Sequence, residues 1–178
     1  MKKLLALVMT LVLCLSVAFA ESTPSKTAGD MIAAEVISGG DDTLLIIPDE
    51  IDTPEYLDEV DQLAALVEDN GSIAAYVGLD ADENTVIECH EIIEVYAIGT
   101  VEDGADEAKV KFVFPTVYTK DQTVWAALGF LEEGKIVYTI YDAEVDEDGA
   151  IVVTLPASVV ERLLNETALM VVLNTPAE

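Results

Sequence analysis

The chain has 178 residues, and its 35 acidic and eight basic residues give it a formal net charge of −27 at pH 7. A surface this negative repels nucleic acid and anionic lipid head groups, so both are excluded as direct partners. Hydrophobic residues make up 52% of the chain. That share is too high for an acidic disordered segment, and the length suits one folded domain.

The first 20 residues have the pattern of a secretory signal peptide. Lys2 and Lys3 form a basic start, residues 4–17 form an apolar run, and Ala18–Ala20 fits a small-x-small cleavage site. Cleavage there removes two basic residues and no acid, which leaves 158 residues with a formal charge of −29. The sequence therefore predicts a secreted protein, either extracellular or associated with the cell wall, with no membrane contact after cleavage.

The first part of the mature chain is predicted to be a flexible segment followed by helices. Residues 21–42 are rich in polar and small residues, which favours a flexible start. Residues 43–84 are predicted to be a helical hairpin segment that opens with a short apolar strand or plug at Leu44–Ile47. Thr53 and Pro54 suit the cap and first position of a helix that ends before Asn70–Gly71, and Ser72 can cap a second, shorter helix.

Residues 85–178 are predicted to form antiparallel strands, with one short helix near 156–164. The run from Thr85 to Ile98 is extended, and its alternation of apolar and polar residues changes at Ile92–Ile93, which predicts a bulge or a bend between sheets there.

A series of strands joined by tight turns follows. Lys109–Pro115 alternates with one apolar face, whereas Thr123–Leu131 is apolar on both faces and is predicted to be central or covered on both sides. Tight turns at 132–135 and 146–149 then join successive strands, and residues 168–173 read as a last buried strand.

Together these elements predict an α+β fold: an N-terminal helical hairpin packed on an antiparallel, immunoglobulin-like β-sandwich of six or seven strands. Four segments of the chain resemble a known class of domains: Met1–Leu7 at the start of the signal, Gly71–Gly78, Val152–Ala157 and Thr167–Met170. In these segments it resembles an uncharacterised class of secreted or cell-surface domains from Gram-positive anaerobic bacteria. The resemblance implies a β-sandwich-like fold and no particular activity.

The acidic segment at 80–91 is the sharpest candidate for a metal site. Asp80, Asp82 and Asn84 have the spacing of positions one, three and five of a calcium loop, with Glu88 at position nine and Glu91 at position twelve. Two features oppose this interpretation. Threonine occupies the position where the loop needs glycine, and a strand from residue 85 onward would carry Glu91 away from Asp80. A polar turn is the simpler interpretation, and calcium stays as the alternative.

No residue pattern reaches the specificity of a catalytic site. Cys89 and His90 are neighbours on a predicted strand, so they point to opposite faces and cannot act as nucleophile and base. Because Cys89 is the one cysteine left after signal cleavage, no intramolecular disulfide is expected, while a bridge to a second molecule stays open. The 35 acids offer many carboxylate pairs for a glycoside hydrolase and single out none. The chain is therefore predicted not to be an enzyme.

Three aromatic residues, Trp125, Tyr118 and Tyr138, are candidates for a binding surface that holds a sugar ring or a peptide. The alternative for Trp125 is a place in the core or between helix and sheet. The sequence thus predicts a secreted, non-catalytic binding or structural module whose partner is an extracellular protein or glycan. Two alternatives remain: a calcium-dependent module that uses residues 80–91, and a small carboxylate-based hydrolase.

Overall fold

The computed structural model describes residues 33–67, 72–82 and 85–177. The predicted signal peptide and Asn84 lie outside these ranges. Within them, no helix combines the length and the hydrophobicity that crossing a membrane requires.

Eight strands and three helices are described. In chain order they are β1 (Ala33–Ser38), β2 (Leu45–Asp49), α1 (Pro54–Val67), α2 (Ser72–Val77), β3 (Glu88–Ile98), β4 (Glu107–Val113), β5 (Val124–Glu132), β6 (Lys135–Val145), β7 (Ile151–Pro156), α3 (Ala157–Leu163) and β8 (Ala168–Asn174).

All eight strands belong to one sheet, in the order β1-β4-β7-β6-β5-β8-β3-β2, and every pairing is antiparallel. The sheet curls until its edge strands, β1 and β2, contact each other, so it is nearly closed and barrel-like. A single bridge between Gly40 and Val101 joins the loops beside this seam.

The predicted fold class is therefore wrong. The strands form one curled eight-stranded sheet and not an immunoglobulin-like sandwich of six or seven strands, and the three helices are short. The physical reason lies in long-range pairing. β1 pairs with β4, and β2 with β3, so segments with weak local strand patterns are drawn into the sheet by partners distant in sequence.

The interior of the curled sheet is a continuous apolar core. On β5, Val124, Ala126, Leu128 and Phe130 all point into it. The other face of β5 contributes residues such as Ala127 to a second apolar cluster outside. β5 lies between β6 and β8 and is covered on both faces, so the prediction that this strand is central or covered on both sides is confirmed.

The three helices cover two different surfaces of the sheet. α1 and α2 lie on the outer face, where Tyr56, Val60 and Leu63 of α1 and Ile73 of α2 are buried against β3, β5 and β8. α3 instead places Val160 and Leu163 in the interior core and contacts β3, β4 and β7. It therefore closes the end of the sheet at which β7 ends and β8 begins.

A bulge in β3 sets which of its side chains face inward. Cys89 pairs with Leu173 and Glu91 with Val172, so His90 is the extra residue. The bulge lies two residues earlier than the sequence predicts. As a result Cys89 packs in the outer cluster, while Glu91 falls on the inward side with Ile93.

Candidate ligand-binding groove

A groove of about 400 Å³ lies between α1 and the β5–β6 hairpin. Its lining includes Glu55, Asp58 and Glu59 of α1, Tyr76 of α2, and Lys135 of the hairpin. This volume lies within the range of small-ligand pockets, about 300–1,000 Å³.

The acidic wall follows from the helical period of α1. Glu55, Asp58 and Glu59 are spaced i, i+3 and i+4, so they share one side of the helix beside the buried apolar stripe. Glu55 and Asp58 are exposed, whereas Glu59 is 7% exposed and forms the inner part of the wall. The acidic wall therefore has two solvated carboxylates at its rim, those of Glu55 and Asp58, and one enclosed carboxylate, that of Glu59.

Two tyrosines hold the enclosed carboxylate of Glu59. The Tyr138 hydroxyl donates to Oε1 at 2.9 Å, and the Tyr76 hydroxyl donates to Oε2 at 3.2 Å. The two rings meet edge to face, with centroids 6.5 Å apart. Burial, together with the negative charge of Glu59, raises the pKa of both tyrosines. Both hydroxyls therefore stay protonated and act as donors at neutral pH.

The opposite wall is set by a tight turn. Glu133 and Gly134 both have positive φ, at 50° and 78°, as a two-residue hairpin of the type predicted at 132–135 requires. The turn starts β6 at Lys135, whose ammonium group is the cation among the lining residues. The lining as a whole stays negative, because three carboxylates face one cation.

The start of α1 is anchored by a buried carboxylate on β3. The Thr53 hydroxyl donates to Glu94 Oε1 at 2.7 Å, and the backbone N–H groups of Asp52 and Thr53 lie 3.4 Å from Oε2. A carboxylate at the N-terminus of a helix also interacts favourably with the helix dipole. Glu94 thus fixes α1, and with it the acidic wall, against the sheet.

The three aromatic residues of the predicted binding surface lie in different places. Tyr138 is beside the groove, Trp125 packs in the outer cluster, and Tyr118 is buried with its ring edge to face against Phe114. They do not share one surface, so no aromatic platform forms from these three residues.

The described residues of the predicted calcium loop also lie in different environments. Asp80 and Asp82 are exposed before β3, while Glu91 is buried on its inward side. Within the described ranges, no group of three or more His, Cys, Asp or Glu side chains could hold a metal ion.

Cys89 and His90 have separate environments. Cys89 is a buried free cysteine, and burial raises the pKa of its thiol to about 12, so it carries no thiolate at neutral pH. His90 Nε2 lies 3.1 Å from Glu88 Oε2. Neither residue contributes to the groove.

No family model, curated protein or solved structure matches this chain. Its function is therefore inferred from the groove itself.

The sequence-based prediction missed the groove residues, although part of the signal was present. The i, i+3, i+4 spacing of acids on α1 is visible in the sequence. With 35 acids in the chain, however, nothing marks these three, and the hairpin wall is more than 70 residues away.

Proposed function

We propose that this protein is a secreted, non-catalytic binding module that holds a cationic group of an extracellular protein, the side chain of a lysine or arginine, in the groove. The observation that carries the proposal is the fixed acidic wall of α1, in which two tyrosine hydroxyls hold Glu59 beside the solvated Glu55 and Asp58.

Electrostatics favours a cation over a neutral ligand. A carboxylate about 4 Å from a positive charge contributes about 1 kcal/mol in bulk water and about 4 kcal/mol near a protein surface. Two rim carboxylates supply this attraction. The exposed ring of Tyr76 adds a surface for a cation, worth about 0.5–1 kcal/mol at such sites.

The groove is also built in advance of binding. Glu94 fixes the start of α1, and the two tyrosines fix the orientation of Glu59. Binding therefore orders few protein side chains, which lowers its entropic cost.

The test is calorimetric titration with a short peptide that contains three arginines, at about 0.15 M salt, where the Debye length is about 8 Å and distant charges are screened. Asp58→Asn removes one rim carboxylate and should weaken binding about fivefold, the equivalent of about 1 kcal/mol.

Asp103→Asn is the matched control, because it makes the same charge change at an exposed loop residue outside the groove. It should leave the affinity unchanged. Equal losses in the two variants would show that the peptide responds to the net charge alone, and the proposal would fail.

A further inference from the structure

Among the residues that the structure describes, three buried side-chain oxygen atoms inside the curled sheet have no hydrogen-bond partner: Glu91 Oε2, Tyr118 Oη and Asn174 Oδ1. The residues that carry them are 3%, 2% and 0% exposed. Native proteins contain few such atoms, because a buried polar group without a partner is costly. These three atoms therefore need a physical explanation.

The three atoms lie at the same end of the sheet, opposite the end that α3 closes. Glu91 pairs with Val172, and Asn174 is two residues further along β8, so Glu91 and Asn174 are diagonal neighbours within reach of each other. The segment between β4 and β5 covers this end. Its Thr116 hydroxyl donates to Glu91 Oε1 at 2.8 Å.

Tyr118 belongs to the same covering segment. It lies two residues after Thr116, and its side chain is buried in the interior core. We call Glu88, Glu91, Tyr118 and Asn174 the polar mouth of the sheet.

Glu88 forms the solvent side of the polar mouth. Its Oε2 accepts from Asn174 Nδ2 at 3.3 Å, and its side chain is 39% exposed. A carboxylate at the surface thus leads directly to the amide group whose oxygen is unpartnered.

We propose that the polar mouth binds a calcium ion through Glu91 Oε2, Asn174 Oδ1 and Tyr118 Oη, with Glu88 at the solvent side. A carboxylate and an amide oxygen are both acceptors, so they cannot satisfy each other. A cation satisfies both and also offsets the buried charge of Glu91, for which no lysine or arginine partner is seen in the described residues.

The ligand set favours calcium over magnesium. All four groups are oxygen donors, and calcium accepts irregular arrangements of six to eight oxygens, whereas magnesium demands a near-ideal octahedron. Two carboxylates are few for a calcium site. The expected dissociation constant is therefore that of weak extracellular modules, about 10⁻⁴–10⁻³ M.

The experiment measures the thermal midpoint and the binding heat of the protein with calcium chloride, and with magnesium chloride at equal concentration. At about ten times the dissociation constant, calcium should raise the midpoint by about 2–5 °C more than magnesium does. Glu91→Gln should abolish this difference. Glu144→Gln, which changes an exposed glutamate on β6, should retain it.

Tyr118→Phe keeps the test valid if Glu91→Gln folds poorly. It deletes one unpartnered hydroxyl, so without calcium the variant should be at least as stable as the parent. With calcium, its midpoint should rise less. If calcium has no effect beyond that of magnesium, or if the effect survives in both variants, water or a proton serves these oxygens and the proposal is overturned.

Discussion

Tyr138→Phe tests the hydrogen bond that holds the acidic wall of the groove. The variant removes one hydroxyl and leaves Glu59 Oε1 without its 2.9 Å donor, while Tyr76 still serves Oε2. A hydrogen bond to a charged group is worth about 1.5–3 kcal/mol, and Glu59 is too buried for water to replace the donor fully. We expect the free energy of unfolding to fall by that amount.

The assay is urea unfolding followed by circular dichroism, with thermal unfolding as a second measure. The expected decrease in the midpoint temperature is about 3–12 °C for a chain of this size. Tyr96→Phe is the matched control, since it removes a hydroxyl from a half-buried tyrosine of β3 outside the groove, and it should change stability by less than about 0.5 kcal/mol.

A double-mutant cycle with Glu59→Gln separates this bond from loss of packing. If the hydroxyl acts on the carboxylate, the two substitutions should show a coupling energy of about 1 kcal/mol or more. Additive effects, or a Tyr138→Phe variant as stable as the control, would refute the account of Glu59 as a carboxylate held by two donors.

Three further predictions concern the same groove. Folding raises the pKa of the Tyr138 hydroxyl, so the protonated tyrosine contributes its full stability below the pKa of the unfolded chain, near 10, and this contribution is lost as the pH rises through the pKa of the folded protein. The free energy of unfolding, measured by urea titration, should therefore fall above about pH 10, and it should fall less steeply in Tyr138→Phe. Gly129→Ala would place a Cβ 2.6 Å from Tyr138 Cε1 and should destabilise by about 1–3 kcal/mol, measured by urea unfolding; an unchanged midpoint would contradict this contact. Lys135→Gln removes the positive charge among the residues that line the groove, so calorimetry should show the triarginine peptide binding about fivefold more tightly, and weaker binding would argue against a cationic ligand.

Local patterns predicted the strands that lie close together in sequence. β5 and β6 are joined by a two-residue turn, and both the turn residues and the two apolar faces of β5 are visible in the sequence. β4 likewise shows Val110 and Phe112 inward, as its alternation predicts. These features depend on neighbours a few residues away, so the sequence carries them directly.

The fold class could not be obtained in the same way. Whether eight strands form one curled sheet or two stacked sheets depends on which distant segments pair, and β1 pairs with β4 across some 70 residues. The bulge lies at His90 and not at Ile92–Ile93, where the change in alternation predicts it, because the sequence pattern does not mark which residue is left unpaired. Because that bulge determines that Glu91 faces inward, the sequence alone does not predict the polar mouth.

The two proposed cation sites, in the groove and in the polar mouth, would give the acidity of this chain a role beyond solubility. A formal charge of −27 repels itself and works against the folded state, so any bound cation stabilises the protein to some degree. Site-specific binding must therefore exceed this general effect. Comparing Asp58→Asn with Asp103→Asn separates specific binding in the groove from the general effect of charge, and comparing Glu91→Gln with Glu144→Gln does the same for the polar mouth. The two variants of each pair change the charge equally, but only one of them changes a proposed site. If both site variants differ from their controls, the acidic surface contains two independent cation sites, one for a partner's side chain and one for an ion.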